Sequence, residues 1–263
     1  FAPNGLDKPI IDAFTEENFE YLQRHQEEAI EWLSDDKHAL IAAGTGRGKT
    51  ESWFIPILQY ALRAKRNKID GVPVNGIKAV LTYPTKALAQ DQLKRFIEYL
   101  WLVNEKADLP ADQEITIGVY DGDTPYSNYV PGSSKDPFTY LIDAFRHFEL
   151  PRTIAKKTAV SQQALDEVPP NVYVESNNNE YRLKLIEEYG GHTLDFVHLT
   201  RDTMHKSPPD IILTNPDTIN YRLFNVNDEQ AHRMFVDQPK FLVFDEVHTY
   251  EGLFGAHVSM LIK

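Results

Sequence analysis

Ala43-Gly44-Thr45-Gly46-Arg47-Gly48-Lys49-Thr50 decides the fold. The apolar run His38–Ala43 (HALIAA) precedes it, and Trp53, Phe54, Ile57, Leu58, Ala61 and Leu62 follow at the spacing of a helix. A strand, a glycine-rich turn and a helix in that order form a phosphate cradle. The glycines let backbone N–H groups curl into a nest, and the helix N-terminus adds partial positive charge. Lys49 brings a full charge to the β- and γ-phosphates, and the Thr50 hydroxyl can ligate magnesium. The strict pattern has glycine where Ala43 stands, so the match is one residue short.

Four more apolar runs lie downstream: Ile77–Tyr83, Ile115–Tyr120, Asp210–Thr214 and Lys240–Asp245. They are continuous rather than alternating, as expected of strands covered on both faces of a parallel sheet. Leu88, Leu93, Phe96, Ile97 and Leu100 predict a helix between two of them. Pro56 is expected to bend the helix that follows Lys49. Strands alternating with helices predict an α/β fold, a doubly wound and mainly parallel sheet with helices on both faces. Ligands of such sheets bind beyond the carboxyl ends of the strands. The polar clusters follow the runs directly: AGTGRGKT, YPTKALAQ, YDGDTP, TNPD and DEVH.

In the last cluster, Asp245 at the end of a buried strand can hold magnesium through water, and Glu246 can polarise an attacking water. Taken alone, Asp245-Glu246-Val247-His248 also reads as a solvated loop; the cradle about 200 residues upstream favours the catalytic reading. Thr85 after Pro84 opens a helix, so free N–H groups and Lys86 can meet a phosphate, and a plain helix cap by Thr85 is the alternative.

Composition narrows the class. The 263 residues are long for one α/β domain and short for two. With 42% hydrophobic and 25% charged residues this is an ordinary globular composition. No apolar run reaches the roughly 18–20 residues that cross a bilayer, and Phe1–Gly5 lacks the features of a signal peptide. The absence of cysteine excludes disulfides and thiolate metal sites, and a cytoplasmic, reducing home is expected. A net charge of −12 argues against holding nucleic acid by bulk charge but leaves room for a local phosphate groove.

The stretch 125–206 differs from the rest. It contains Pro131-Gly132-Ser133-Ser134, Pro169-Pro170 and Asn177-Asn178-Asn179, with a helical rhythm only over Phe138–Phe148. A bare loop of that length is unusual, so an inserted subdomain or lid is expected. His192, His198 and His205 have no partners at zinc-ligand spacing. Arg201 reads first as a solvated side chain, with a phosphate contact as the alternative.

Together these motifs resemble superfamily 2 helicases of the DExH class. AGTGRGKT looks like their motif I, in which Ala43 fits, and DEVH like motif II. The resemblance implies ATP and Mg2+ as cofactors, with Gly44, Thr45, Gly46, Arg47, Gly48, Lys49 and Thr50 around the phosphates and Thr50 and Asp245 on the metal. It implies Lys49, Asp245, Glu246 and His248 as the catalytic set, His248 linking the nucleotide site to the nucleic-acid path. Arg24, His25 and Gln26 resemble the Q-motif, which places Arg24 and Gln26 at the adenine. Pro84-Thr85-Lys86, Gly122-Asp123-Thr124 and Thr214-Asn215-Pro216-Asp217 look like the strand-contacting motifs.

GKTESWFIPIL, YPTKALAQDQL, PPDIILTNPDTIN and DEVHTYEGLFGAHVSMLI are similar to one branch, which includes Lhr-like, mitomycin-repair and DISARM-type phage-defence helicases. The resemblance covers about residues 21–125 and 199–263. It implies a RecA-like lobe over 1–124 and 207–263, the insert at 125–206, and DNA as partner. A second RecA-like lobe is expected elsewhere, and without its arginine this lobe should hydrolyse ATP poorly. A duplex-tracking translocase and an ATP-gated scaffold, with the insert docking subunits of a defence complex, remain alternatives.

Overall fold

The computed structural model describes residues 5–17, 19–42, 48–128, 137–146, 148–149, 152–169, 171–178, 180–224, 234–235 and 239–251. Its elements are α1 (Lys8–Glu16), α2 (Arg24–Ser34), α3 (Lys49–Lys65), β1 (Ala79–Thr82), α4 (Lys86–Ala107), β2 (Ile117–Val119), α5 (Pro137–Phe145), α6 (Arg152–Thr158), α7 (Gln162–Glu167), β3 (Val172–Asn177), β4 (Glu180–Leu185), β5 (Val197–His198), α8 (Arg201–Lys206), β6 (Ile211–Thr214), α9 (Pro216–Phe224) and β7 (Phe241–Phe244). The chain forms two compact units, one comprising Phe1–Val74 with Tyr99–Ile115 and the other Asn75–Glu98 with Thr116–Lys263.

The second unit holds a five-stranded sheet in the order β5-β2-β6-β1-β7, with every pairing parallel. Ala79 of β1 sits opposite Ile211 of β6 on one side and Phe241 of β7 on the other. All residues of β1 (AVLT) and β6 (IILT) are buried, the condition under which a strand reads as a continuous apolar run. Four of the five predicted runs are therefore strands, in the predicted parallel α/β arrangement flanked by helices. Because the strands are parallel, the residues after Thr82, Val119, Thr214 and Phe244 all fall on one edge of the sheet.

At the opposite edge the strand starts are stapled by a buried ion pair. Lys78 Nζ lies 3.6 Å from Asp210 Oδ1, with side chains 2% and 0% exposed. Asp210 Oδ2 accepts from the Thr116 amide at 2.9 Å and its hydroxyl at 3.0 Å. Next to them, the Lys78 amide donates to the Asp210 carbonyl at 2.7 Å. In β2, a Cβ on Gly118 would come 2.8 Å from Met204 Sδ, so glycine there is what lets α8 pack onto the strand.

His38–Ala43 is the exception among the runs. Residues 38–42 are not a strand, Leu40 is 85% exposed, and Ala43 lies outside the described residues. The described part of the first unit contains helices and no strand, so the run has no ladder to join there. In that unit α3 runs unbroken through Pro56 and is buried from Glu51 to Gln59. Tyr99 of α4 stacks on Phe14 of α1 (4.8 Å), leans on Phe54 (5.9 Å) and donates to Glu51 Oε1 at 2.7 Å.

Between β2 and β6 the chain builds more than the single helix its rhythm predicts. The expected helix is α5, and β3 and β4 form an antiparallel hairpin with Val174, Leu183 and Leu185 buried. Tyr189 is fully buried and donates to the Val168 carbonyl at 2.6 Å. β5, at two residues too short to leave a sequence signal, pairs with β2 and so joins the main sheet.

Candidate nucleotide and nucleic-acid sites

Gly44, Thr45, Gly46 and Arg47 lie outside the described residues. Their neighbours define the edge of the cradle. Gly48 caps α3 at φ 68° and ψ 34°, a left-handed conformation suited to glycine. A Cβ on it would lie 2.3 Å from Gln26 Nε2. Gln26 Nε2 donates to the Gly48 carbonyl at 2.9 Å, and its Oε1 accepts from the Gln23 amide at 2.8 Å. The residue expected to read adenine is thus built against Gly48, with one N–H and one lone pair not engaged among the described residues. Lys49 and Thr50 open the 17-residue α3, half-buried, at the positive end of its dipole. Arg24 is exposed and pairs with Glu28 one turn on (2.7 Å), which raises the guanidinium pKa.

In the second unit Asp245 follows β7 and stays attached to β1 through its amide, which donates to the Thr82 carbonyl at 3.0 Å. Glu246 takes a left-handed conformation, φ 52° and ψ 42°. For a non-glycine residue this costs about 1 kcal/mol, the kind of strain found where a side chain must be aimed. Three hydrogen bonds hold it: its amide donates to Asp245 Oδ1 (2.9 Å), and its carbonyl accepts from the Thr249 amide and hydroxyl (2.8 Å each). His248 Nδ1 lies 3.2 Å from Glu246 Oε2. Burial, then the Asp245 charge, pushes the Tyr83 phenol well above its usual pKa; burial, then Asp245 and Glu246, pushes up Tyr250. Both phenols stay protonated beside these carboxylates. Tyr83 Oη and Thr82 Oγ1 are buried without hydrogen-bond partners among the described residues.

The strand-contact candidates lie on the same carboxyl edge. After β1, Pro84-Thr85 opens α4: Thr85 Oγ1 accepts from the Leu88 amide at 3.3 Å, so it is a helix cap, and the Lys86 ammonium is exposed. After β2, Asp121 is buried and organises a turn, its Oδ1 accepting from the amides of Asp123 (2.8 Å) and Thr124 (3.0 Å). Gly122 and Asp123 are left exposed at its tip. After β6, Asn215 Oδ1 accepts from the Thr218 amide at 2.9 Å and starts α9 at Pro216, with Asp217 exposed. The Thr124 and Thr214 hydroxyls face inward, donating to the carbonyls of Val119 (2.9 Å) and Tyr120 (2.6 Å).

The structure adds residues that the motif reading passed over. Arg201 is half-buried: its guanidinium lies over the rings of Tyr120 and Tyr126 and donates to the carbonyls of Asp121 and Gly122. Tyr120 Oη also lies 2.8 Å from His205 Nε2. Only proximity in the fold reveals these roles, because Arg201 follows Asp121 by 80 residues. Among the described residues no cluster of three or more His, Cys, Asp or Glu could hold a metal ion, and no helix is long and apolar enough to cross a membrane.

A parallel sheet with its polar motifs along one carboxyl edge is a RecA-like fold. Residues 23–124 match the family described as DEAD/DEAH box helicase. The chain is 26% identical to the Druantia protein DruE of Escherichia coli (strain UMEA 4076-1), over 91% of this chain and 14% of that protein. It is 24% identical to the ATP-dependent helicase hrq1 of Schizosaccharomyces pombe, over 98% of this chain and 16% of that protein. Solved structures with the same fold include the DUF1998 helicase MrfA bound to DNA and AMPPNP (TM-score 0.57, 21% identity, 99% of this chain and 24% of that one). Another is the Mycobacterium smegmatis helicase Lhr bound to ssDNA and AMP-PNP (TM-score 0.57, 20% identity, 99% of this chain and 23% of that one). The resemblance to helicases read from the motifs, Lhr-like branch included, is borne out by these matches. The chain spans between 14% and 24% of the length of these four relatives.

Proposed function

We propose that this chain is the first motor lobe of an ATP-dependent helicase or translocase that moves along DNA, in phage defence or DNA repair. The observation that carries the reading is the row of motifs on one sheet edge: Pro84–Lys86 after β1, the Asp121–Thr124 turn after β2, Thr214–Asp217 after β6, and Asp245-Glu246 after β7. In this reading 1–124 with 207–263 is the lobe and 125–206 an insert; its β3–β4 sheet is separate from the main one, whereas its β5 pairs with β2. A second RecA-like lobe completes the motor, and the compartment is the cytoplasm.

The residues fit a magnesium-bound triphosphate. The Thr50 hydroxyl and Asp245 carboxylate are hard oxygen donors, and Mg2+ sites take one or two carboxylates plus substrate phosphates rather than an all-protein cage. The buried Tyr83 Oη, without a hydrogen-bond partner among the described residues, is a polar group near Asp245. Bound there, the metal would neutralise charge on the phosphates. Lys49 and the start of α3 would bind the β- and γ-phosphates, Gln26 and Arg24 the adenine side. Glu246 would take the proton of the attacking water, with His248 holding its carboxylate in position. Lys86, the Gly122–Asp123 tip and the start of α9 would meet the nucleic-acid backbone.

The test is DNA-stimulated ATP turnover by the full-length protein. Lys49→Ala and Glu246→Gln should each lower it by at least about 100-fold, and normal turnover in both would overturn the reading. A scaffold gated by ATP would instead keep its biological activity in Glu246→Gln and lose it in Lys49→Ala. Triplex displacement without strand separation would identify the duplex-tracking form.

A further inference from the structure

Three consecutive residues at the start of α8 are bonded to the turn that follows β2. The Thr200 hydroxyl lies 2.9 Å from Ser127 Oγ, and Asp202 accepts the Ser127 amide. The Arg201 amide donates to the Pro125 carbonyl at 2.9 Å. Arg201 Nη2 donates to the carbonyls of Asp121 (2.7 Å) and Gly122 (3.1 Å). The guanidinium lies 5.5 Å from the Tyr120 ring centre and 5.3 Å from that of Tyr126, so its plane is fixed by both rings.

We propose that Arg201 is a positioning residue for nucleic-acid binding, holding the Asp121–Thr124 turn in the shape that offers its tip to a phosphate. The inference rests on the nucleic-acid reading above. The physical step is the geometry of one peptide unit. The Asp121–Gly122 bond is planar and trans, so the Gly122 N–H points opposite the carbonyl that Arg201 holds. Gly122 is exposed, and its N–H is thereby turned away from the clamp as a donor. The Asp123 and Thr124 amides already donate to Asp121 Oδ1. Arg201 therefore acts through the turn, and the residues returning from the 125–200 stretch set the shape of a strand-contact motif 80 positions earlier. A rearrangement of that stretch would reach the nucleic-acid site through this bond.

Two measurements on the full-length protein test the assignment: affinity for single-stranded DNA across a salt series, and amide hydrogen exchange in the turn. Lys86→Ala, a direct contact in this reading, should weaken binding and flatten the salt slope by about 0.7, the value of one single-strand phosphate contact. Arg201→Ala should weaken binding about tenfold with the wild-type slope, and should speed exchange at Asp123 and Thr124. Arg201→Lys, the variant to use should alanine unfold the protein, keeps the charge. An ammonium lacks the planar fork that meets two carbonyls between two rings, so its exchange should match that of alanine. A flattened slope in Arg201→Ala would make Arg201 a phosphate contact and overturn the proposal, as would unchanged affinity and exchange. A wild-type protein that binds no nucleic acid would remove the functional reading, while the exchange measurement still decides the clamp.

Discussion

The Lys86 ammonium lies 2.5 Å from Asp123 Oδ2, joining the first turn of α4 to the tip of the turn after β2. The two side chains are 44% and 55% exposed, so the pair is solvent-screened and worth at most about 1 kcal/mol. In the proposed reading a phosphate arriving at Lys86 competes with this carboxylate. Asp123 in that reading holds the Lys86 ammonium until a phosphate competes for it.

Replacing the carboxylate should therefore tighten binding. Asp123→Asn is expected to raise affinity for single-stranded DNA roughly threefold, within the range of an exposed pair. The gain should shrink as salt rises, because both the pair and the phosphate contact are screened. Fluorescence anisotropy at two salt concentrations measures it. Weaker binding at low salt would mean that Asp123 helps to hold the strand.

At the nucleotide side, Gln26 is held at both ends of its amide, by Gly48 and by Gln23. Gln26→Glu keeps the size and the acceptor but loses the N–H that reaches the Gly48 carbonyl. It should weaken ATP binding by about tenfold or more, measured by titration calorimetry, and lower the melting temperature, because Gln26 is buried and the new carboxylate faces a carbonyl oxygen. Gly48→Ala should do more, because the new methyl meets Gln26 Nε2 at 2.3 Å and the left-handed backbone costs about another 1 kcal/mol. If both variants bind ATP normally, the Gln26–Gly48 contact has no part in the nucleotide site.

Much of the sheet was legible because burial on both faces leaves uninterrupted apolar runs, as in AVLT and IILT. HALIAA has the same look and is not a strand over residues 38–42, because periodicity reports apolarity and not whether a partner ladder exists. The motif residues after β1, β2, β6 and β7 were legible because polar side chains there interrupt each run abruptly. What escaped were contacts made only in three dimensions: Arg201 on the Asp121–Gly122 carbonyls and the left-handed backbone of Glu246. Nothing local marks a glutamate for positive φ. The β3–β4 hairpin escaped because its alternation, with Val172 and Val174 buried around Tyr173, is short and set among charges.

Stability should depend on the far edge of the sheet, away from these motifs. Asp210 is fully buried between Thr116 and Lys78, and Asp210→Ala leaves the Lys78 ammonium without that partner inside the protein. Breaking a buried pair from one side typically costs about 3–5 kcal/mol, so the first thermal transition of the full-length protein should fall by several degrees. Asp210→Asn, which keeps a hydrogen-bond acceptor for Thr116, should lose less. Equal melting in both variants would show that the charge, not the acceptor, is what matters there.

Glu246 joins strain to chemistry, and the two can be separated by substitution. Asparagine tolerates the left-handed region better than glutamate, whereas a β-branched residue is strongly disfavoured there. The loss of the exposed His248 contact is common to both changes and small. Glu246→Asn should therefore melt at or above the wild-type temperature, and Glu246→Val should be less stable by about 2 kcal/mol. Neither variant retains a carboxylate to accept the proton of water, so both should lose ATP turnover by about 100-fold or more. An Asn variant that melts well below the Val variant would contradict the backbone assignment. An Asn variant with normal turnover would instead remove Glu246 from the reaction while leaving its conformation intact.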